Sequence, residues 1–225
     1  MLGEYLLANS GLYAIDTYGT LALTESSPPQ SFVEPLTVAE MKAYLKLPAS
    51  RSPVDPAEDQ EIADFISAAR IEAEVLQGRD LVRKQWDLSL DYWTGGVILL
   101  RSPLASVDAF LIKDSTGLVT TLAENTDYIV GAAKTPGVLA PPYNSTWRNF
   151  TPWPMSAITI RFTSGVATDS IWWKADGQTV KGGMRRLISD WYNNKLPFEK
   201  TREPATEIPF GVTAALSCGA IRIVR

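Results

Sequence analysis

The fold is decided where the hydrophobic period changes, in residues 55–92, DPAEDQEIADFISAARIEAEVLQGRDLVRKQWDLSLDY. This stretch opens with Asp55 and Pro56, a helix-start pattern, because proline fits the first position of a helix. One apolar stripe then recurs every three or four residues, as a helix with one buried face requires. Its members are Ile62, Phe65, Ile66, Ala69, Ala73 and Leu76. Gly78 suits the position just after a helix, so we predict that the helix ends near Gln77.

From Leu81 onward the period becomes two. Trp86, Leu88 and Leu90 alternate with polar residues, a pattern that predicts a half-buried strand. The other predicted strands cover 97–100, 107–113, 118–122, 128–130 and 157–163, separated by turn residues. Together they indicate a small antiparallel β unit. Residues 131–156 are rich in proline and tryptophan, and we expect them to form a long, irregular loop with an interaction role.

Helices are also predicted on both sides of the β unit. Thr37 and Glu40 have the spacing of a capping box. After Gly182 and Gly183 the chain shows a last helical stripe, made of Met184, Leu187, Ile188 and Trp191. We expect this last helix to pack on the first two.

The fold class is therefore α+β: a small helical bundle with an inserted antiparallel β unit, plus extended N- and C-terminal arms. The expected segments are an N-terminal extension (1–35) that orders only against a partner, the first part of the bundle (36–80), the β unit with its loop (81–170), the closing helix (171–195) and a C-terminal arm (196–225).

Composition excludes several classes of function. The chain has no histidine and one cysteine, Cys218. Ser–His and Cys–His catalysis and typical zinc sites are therefore excluded, and the lone thiol indicates a reducing compartment. A net charge of −4 argues against a nucleic-acid grip through phosphates. No apolar run approaches the length of a membrane span. We predict neither cofactor nor metal.

Composition leaves two functions open: a glycosidase and a carbohydrate-binding module. Asp87 and Asp91 lie on one face of the predicted strand, and a carboxylate-based glycosidase could use them. Their spacing of about 13 Å along a strand is wider than glycosidase carboxyl pairs, and solvated surface acids are the commoner case. A carbohydrate-binding module could instead stack sugars on Trp147, Trp153 or Trp172, although packing or a protein interface is the commoner use of such residues.

Charge is unevenly distributed between two predicted helices. The helix of residues 55–77 is strongly acidic, whereas residues 174–186 are mainly basic. Two solvated helix faces would explain this in a monomer. In a ring the faces could meet between neighbouring subunits, as a heterologous contact. On this hypothesis the interface residues are Glu58, Glu61, Asp64, Arg185 and Arg186.

A series of segments in order resembles a family of head–tail connector proteins, or adaptors, of tailed phages, which also serve in gene transfer agents. The similar segments are LTVAEMKAYLKL (36–47), DQEIADFISAAR (59–70), EAEVLQGRDLV (72–82), QWDLSLD (85–91), LLRSPLASV (99–107) and the closing helix at 187–192. The resemblance therefore spans about residues 36–195. It rests on the ordered series of segments, because no single motif is as specific as a catalytic one.

The resemblance implies a non-enzymatic function. The family forms a ring, expected to be twelvefold, beneath the portal in the particle neck, where it extends the DNA channel. Its partners are further copies of itself, the portal protein, and the next neck or tail-completion (stopper) protein. DNA passes without specific binding, no membrane is involved, and assembly takes place in the cytoplasm of the bacterial host. The C-terminal arm of the family reaches onto the portal, which here suggests Phe198, Phe210, Ile221 and Ile223 as docking residues.

Overall fold

The computed structural model describes residues 6–8, 11–16, 19–25, 33–47, 56–93, 96–99, 101–193 and 210–220. The chain folds as two compact units. A β unit combines the described residues of Met1–Phe32 with Arg83–Val166, and a helical unit combines those of Val33–Val82 with Ala167–Arg225. The α+β class is confirmed, and its chain order is β, α, β, α.

The β unit contains two antiparallel sheets. The strands are β1 (Leu6–Ala8), β2 (Gly11–Asp16), β3 (Gly19–Glu25), β4 (Lys84–Leu90), β5 (Val97–Ile98), β6 (Leu104–Lys113), β7 (Val119–Thr121), β8 (Ile129–Gly131), β9 (Val138–Ala140) and β10 (Ile158–Ser164). The large sheet has the order β1-β2-β3-β4-β10-β6-β7, and the small sheet has the order β5-β9-β8.

Strand β4 shows the predicted alternation. Trp86, Leu88 and Leu90 are buried, while the residues between them are only half-buried. In the pairing with β10, Leu88 lies opposite Ile160. Both side chains join one hydrophobic core centred on the fully buried Phe110. The period-two pattern therefore identified the core face of the sheet correctly.

The N-terminal extension departs from its prediction. We expected residues 1–35 to order only against a partner, but three strands within them continue the large sheet. Strand β3 pairs with β4, where Leu23 lies opposite Leu88 and is 2% exposed. The physical reason is that β4 offers a free edge and an apolar core face, and Leu23 covers part of that face.

The predicted irregular loop also contains a strand. Within 131–156, β9 pairs with both β5 and β8 and buries Leu139 in the core. Aromatic stacking holds another part of the loop: the rings of Trp93 and Trp147 lie 4.7 Å apart and almost parallel. A short strand bounded by prolines was missed because its three residues show too little periodicity.

The helical unit contains α1 (Val38–Tyr44), α2 (Pro56–Gln77), a 3-10 turn (Ile171–Lys174), α3 (Asp176–Asn193) and α4 (Phe210–Leu216). The predicted capping box is present at Thr37 and Glu40. Helix α2 has the predicted bounds, and Gly78 follows it with a φ of +64°. Four of the six predicted stripe residues of α2 are buried, and Phe65 and Leu76 are half-buried.

The last predicted helix begins earlier than we expected. Gly182 and Gly183 lie inside α3, which starts at Asp176. Gly183 is buried, and a Cβ added to it would lie 3.0 Å from Leu216 and 3.2 Å from Ala215 of α4. Its place in the helix interior is therefore explained by the close approach of α4, which outweighs the low helix propensity of glycine.

The C-terminal segment is not wholly an arm. Helix α4 packs on α3 and α2, with Val212 and Leu216 buried. The side-chain amide of Gln77 donates hydrogen bonds to the carbonyls of Leu216 (2.7 Å) and Cys218 (3.1 Å). These bonds satisfy carbonyls that the end of a helix leaves open. A seven-residue helix has little stability of its own, so docking holds α4 in place.

Candidate functional site

The two candidate glycosidase carboxylates are both engaged in structural bonds. Asp87 accepts two hydrogen bonds from the guanidinium of Arg161, at 2.7 and 2.9 Å. The bond to Asp87 raises the pKa of Arg161. Asp91 accepts a 2.6 Å bond from the backbone N–H of Ser156. A bidentate ion pair between β4 and β10 and the anchoring of a loop account for these residues without any chemistry.

Each of the three candidate sugar-stacking tryptophans makes a different contact. One face of Trp147 lies against Trp93 within the aromatic cluster of the β unit. Trp153 is 37% exposed, and the ammonium of Lys113 lies 4.1 Å from its ring centre. Trp172, in the helical unit, contacts Trp173 edge-on. Each of the three tryptophans therefore has a packing or cation contact within its own unit.

Within the described ranges, no group of three or more His, Cys, Asp or Glu side chains is placed to hold a metal ion. None of the described helices is both long and apolar enough to cross a membrane.

The predicted charged interface maps onto α2 and α3, which pack on each other in the helical unit. Some of its members have contacts within the chain. Glu58 accepts a 2.5 Å hydrogen bond from the hydroxyl of Tyr192, and Arg185 lies 3.9 Å from Glu40. Glu61 is half-buried, whereas Asp64 and Arg186 are exposed. Asp64 and Arg186 are therefore the two members of the set that stand furthest out toward solvent.

Helix α2 carries a second apolar face that the sequence prediction missed. Ala68, Ile71 and Val75 lie at spacings of three and four residues, on one side of the helix. All three are exposed, Ile71 to 51% and Val75 to 67%. Asp64 continues the same face one turn earlier. The repeat could have been found in the sequence, but the buried stripe matched the helical period over a longer stretch.

Helix α3 presents a face of small and basic side chains. Thr179, Gly182 and Arg186 follow one another along this side of the helix. A Cβ added to Gly182 would meet nothing within 4 Å. Glycine in a helix interior costs about 0.5–1 kcal/mol relative to alanine. The contact with α4 explains why residue 183 is a glycine. Among the described residues of the helical unit, no contact explains the glycine at 182.

A buried ion network at the middle of α2 was also missed. Arg70 is 3% exposed and donates to Glu74, 8% exposed, at 3.0 Å, and to Glu34 at 3.0 and 3.2 Å. Glu74 in turn accepts a 3.0 Å bond from the backbone N–H of Leu81. This network ties the segment before α1 and the segment after α2 to the helix. The sequence shows only an i,i+4 ion pair, which is usually a surface feature.

The predicted portal-docking residues lie mostly beyond the structural description. Phe198, Ile221 and Ile223 fall outside the described residues. Phe210 is the first residue of α4, and its side chain is likewise outside the description. Close to the last described residue, the carbonyl of Gly219 accepts a hydrogen bond from the guanidinium of Arg79.

No protein-family model and no curated protein matches the chain. Among solved structures, the chain shares its fold with chains of gene transfer agent particles. A chain from the neck of an empty gene transfer agent particle, computed with C6 symmetry, matches at a TM-score of 0.66 and 21% identity. Chains from the virion of the native particle (0.63, 22%) and from its neck computed with C12 symmetry (0.60, 21%) match similarly. Each match covers 90% of this chain and 97% of the other.

Proposed function

We propose that this protein is a structural head–tail adaptor in the neck of a tailed phage or phage-like particle, such as a gene transfer agent. The observation that carries the proposal is the match in fold to neck chains over 90% of the sequence, taken from maps with C6 and C12 symmetry. Both units and almost the whole of the other chain are covered, so the likeness is not that of one common motif. The family resemblance of residues 36–195 supports the same function.

The protein acts as a ring of identical subunits, twelvefold, which docks beneath the portal and receives the next neck or tail-completion protein on its other side. It assembles in the cytoplasm of the bacterial host and remains in the virion neck. Its function is mechanical rather than enzymatic: the ring extends the channel through which DNA passes. A net charge of −4 suits a wall along which DNA slides without being held.

The charged faces of α2 and α3 contribute to the contact between subunits, with Glu58, Glu61 and Asp64 on one side and Arg185 and Arg186 on the other. Charge reversal at Arg186 tests this contact most cleanly, because Arg186 is exposed. We expect Arg186→Glu to weaken ring assembly. The matched control is Arg83→Glu, an exposed arginine of the β unit. Equal assembly of the two variants would contradict this contact.

The C-terminal residues dock on the portal. Truncation after Pro197 would also remove α4, which packs on α3. A loss of portal binding in that variant would therefore not distinguish a docking defect from a folding defect. Truncation after Ala220 instead removes Ile221 and Ile223 and keeps α4. We expect this shorter chain to melt like the full chain and to bind portal more weakly.

The deciding experiment is the mass of the purified protein, alone and mixed with the portal protein of its particle, by light scattering combined with electron microscopy. Rings attached to portal are the expected result. A monomer that does not respond to portal would refute the proposal.

A further inference from the structure

Two helix faces of the helical unit are left uncovered by the residues that the structure describes. The face of α2 formed by Asp64, Ala68, Ile71 and Val75 is exposed although three of its residues are apolar. The face of α3 around Gly182 includes an interior glycine that contacts nothing at its Cβ position. Apolar side chains in water and glycine inside a helix both reduce stability. Both features become favourable if another helix packs against them.

The two faces are complementary in shape. Gly182 forms a recess because it has no side chain, and Ala68 is the smallest side chain of the α2 face. Helices approach closely where small residues meet. Ile71 and Val75 project further along α2 and would lie beside Thr179 and the first turn of α3 when the two helices run antiparallel.

The faces are also complementary in charge, in the same register. Four residues separate Asp64 from Ala68, and four separate Gly182 from Arg186, a rise of about 6 Å in each helix. With Ala68 opposite Gly182 in antiparallel helices, Asp64 therefore comes opposite Arg186. The hydrogen bond that Asp64 accepts from Gln60 (2.9 Å) is an exposed one within the helix, and it can be exchanged for a bond to arginine.

We propose that the occupant of each face is a second copy of this chain: α2 of one subunit packs antiparallel on α3 of the next, with Ala68 against Gly182 and Asp64 against Arg186. The contact is heterologous, because each subunit offers a different face to each neighbour, and such contacts close into rings. An isologous pairing of α2 with α2 would bring acidic faces together and is disfavoured. This inference rests on the proposed ring and names its contact.

Disulfide cross-linking tests the register directly. In a Cys218→Ser background, Ala68→Cys and Gly182→Cys are introduced together, and rings assembled on portal are oxidised. We expect a ladder of covalent multimers in a denaturing gel without reductant. Each single-cysteine variant should stay monomeric, because a heterologous contact does not place a cysteine opposite its own copy. A ladder that is missing from intact double-cysteine rings, or dimers of the single variants, would overturn the proposal.

A steric variant separates folding from assembly. Gly182→Leu places a side chain in space that no described residue of the subunit occupies, so the unfolding midpoint should stay equal or rise while rings are lost. The matched control is Gly211→Leu in α4, a second helical glycine whose Cβ position is open. The control should fold and form rings. Rings of Gly182→Leu as abundant as those of the unchanged protein would overturn the contact but leave the adaptor function standing. Failure of the unchanged protein to form rings on portal would instead refute the adaptor function itself.

A charge swap supplies the gain-of-function test. Asp64→Arg alone and Arg186→Asp alone should each weaken assembly by about tenfold or more, because like charges then face each other across the contact. The two changes together restore an opposite pair at every contact, and assembly should recover. A double variant that assembles no better than the single ones would contradict the register.

Discussion

The neighbouring glycines of α3 should respond oppositely to the same substitution. Gly182→Ala adds a methyl group into open space and removes the flexibility that glycine gives the unfolded chain. We expect a stabilisation of about 0.5–1 kcal/mol. At Gly183 the added Cβ would lie 3.0 Å from Cδ2 and 3.1 Å from Cγ of Leu216, and 3.2 Å from Cβ of Ala215, which is closer than the ordinary carbon separation of about 3.5–4.0 Å.

Overpacking of this kind costs about 1–3 kcal/mol. The gain in helix propensity offsets up to about 1 kcal/mol of that cost, so Gly183→Ala should be destabilising by up to about 2 kcal/mol. The two variants should therefore differ by roughly 1–3 kcal/mol. With a urea dependence of about 1–3 kcal/mol per molar, the difference corresponds to about 1 M in the unfolding midpoint, which circular dichroism at helical wavelengths resolves readily.

A second substitution makes this test specific for α4. Leu216 is fully buried, and Leu216→Ala removes the atoms that the new methyl group would meet first. In that background the penalty at Gly183 should shrink while the gain at Gly182 should persist, a coupling that a double-mutant cycle measures. If both glycines respond alike with Leu216 present, α4 does not pack on α3 at this position and the reasoning fails.

Three further perturbations follow from the contacts of the helical and β units. Arg70→Met should cost about 3–5 kcal/mol in thermal unfolding, because Glu74 would remain buried without its guanidinium partner; a loss below about 1 kcal/mol would mean that the network is not buried. Hydrogen bonding from the Thr37 backbone N–H lowers the pKa of Glu40. The contribution of Glu40 to stability is therefore fully present above its unfolded pKa and is lost as the pH falls through the lowered folded-state pKa. Glu40→Gln should accordingly flatten the decline in unfolding midpoint between about pH 6 and pH 3, and an unchanged decline would argue against the capping box. Asp87→Asn should change stability by only about 0.2–1 kcal/mol, because its ion pair is exposed; urea unfolding that showed a far larger loss would contradict a surface role.

Local signals identified the start of α1, both ends of α2 and the core face of β4. A capping box, a proline at a first helical position and a glycine after a last turn act within a few residues, so the bounds of α2 could be predicted from the sequence. The alternation around Leu88 is local in the same sense. Strand β3 depends instead on pairing with a strand some sixty residues later, and nothing in Gly19–Glu25 alone selects that partner. The sequence prediction missed these strands because they form by pairing with a distant part of the chain.

The glycines of α3 show the same limit at a single position. By propensity, a pair of glycines marks a helix boundary, and the predicted start of the last helix followed that rule. The structure places α4 against one of them, and a contact between segments far apart in the chain overrides the local preference. The expected charged interface behaves likewise. Counting charges identified Glu58 and Arg185, but the partners that engage them, Tyr192 and Glu40, lie on other elements.

Helix α2 is apolar on two sides, and the described part of its own subunit covers one of them. Ile62 and Ile66 belong to the covered side, whereas Ile71 and Val75 belong to the exposed one. A single-period prediction assigns one buried stripe to a helix and treats apolar residues outside it as incidental. In a subunit that assembles, we expect a neighbouring subunit to pack on the second side. The helix that sets the fold of the unit is therefore also the helix through which the proposed ring would close, and substitutions on its two sides should separate stability from assembly.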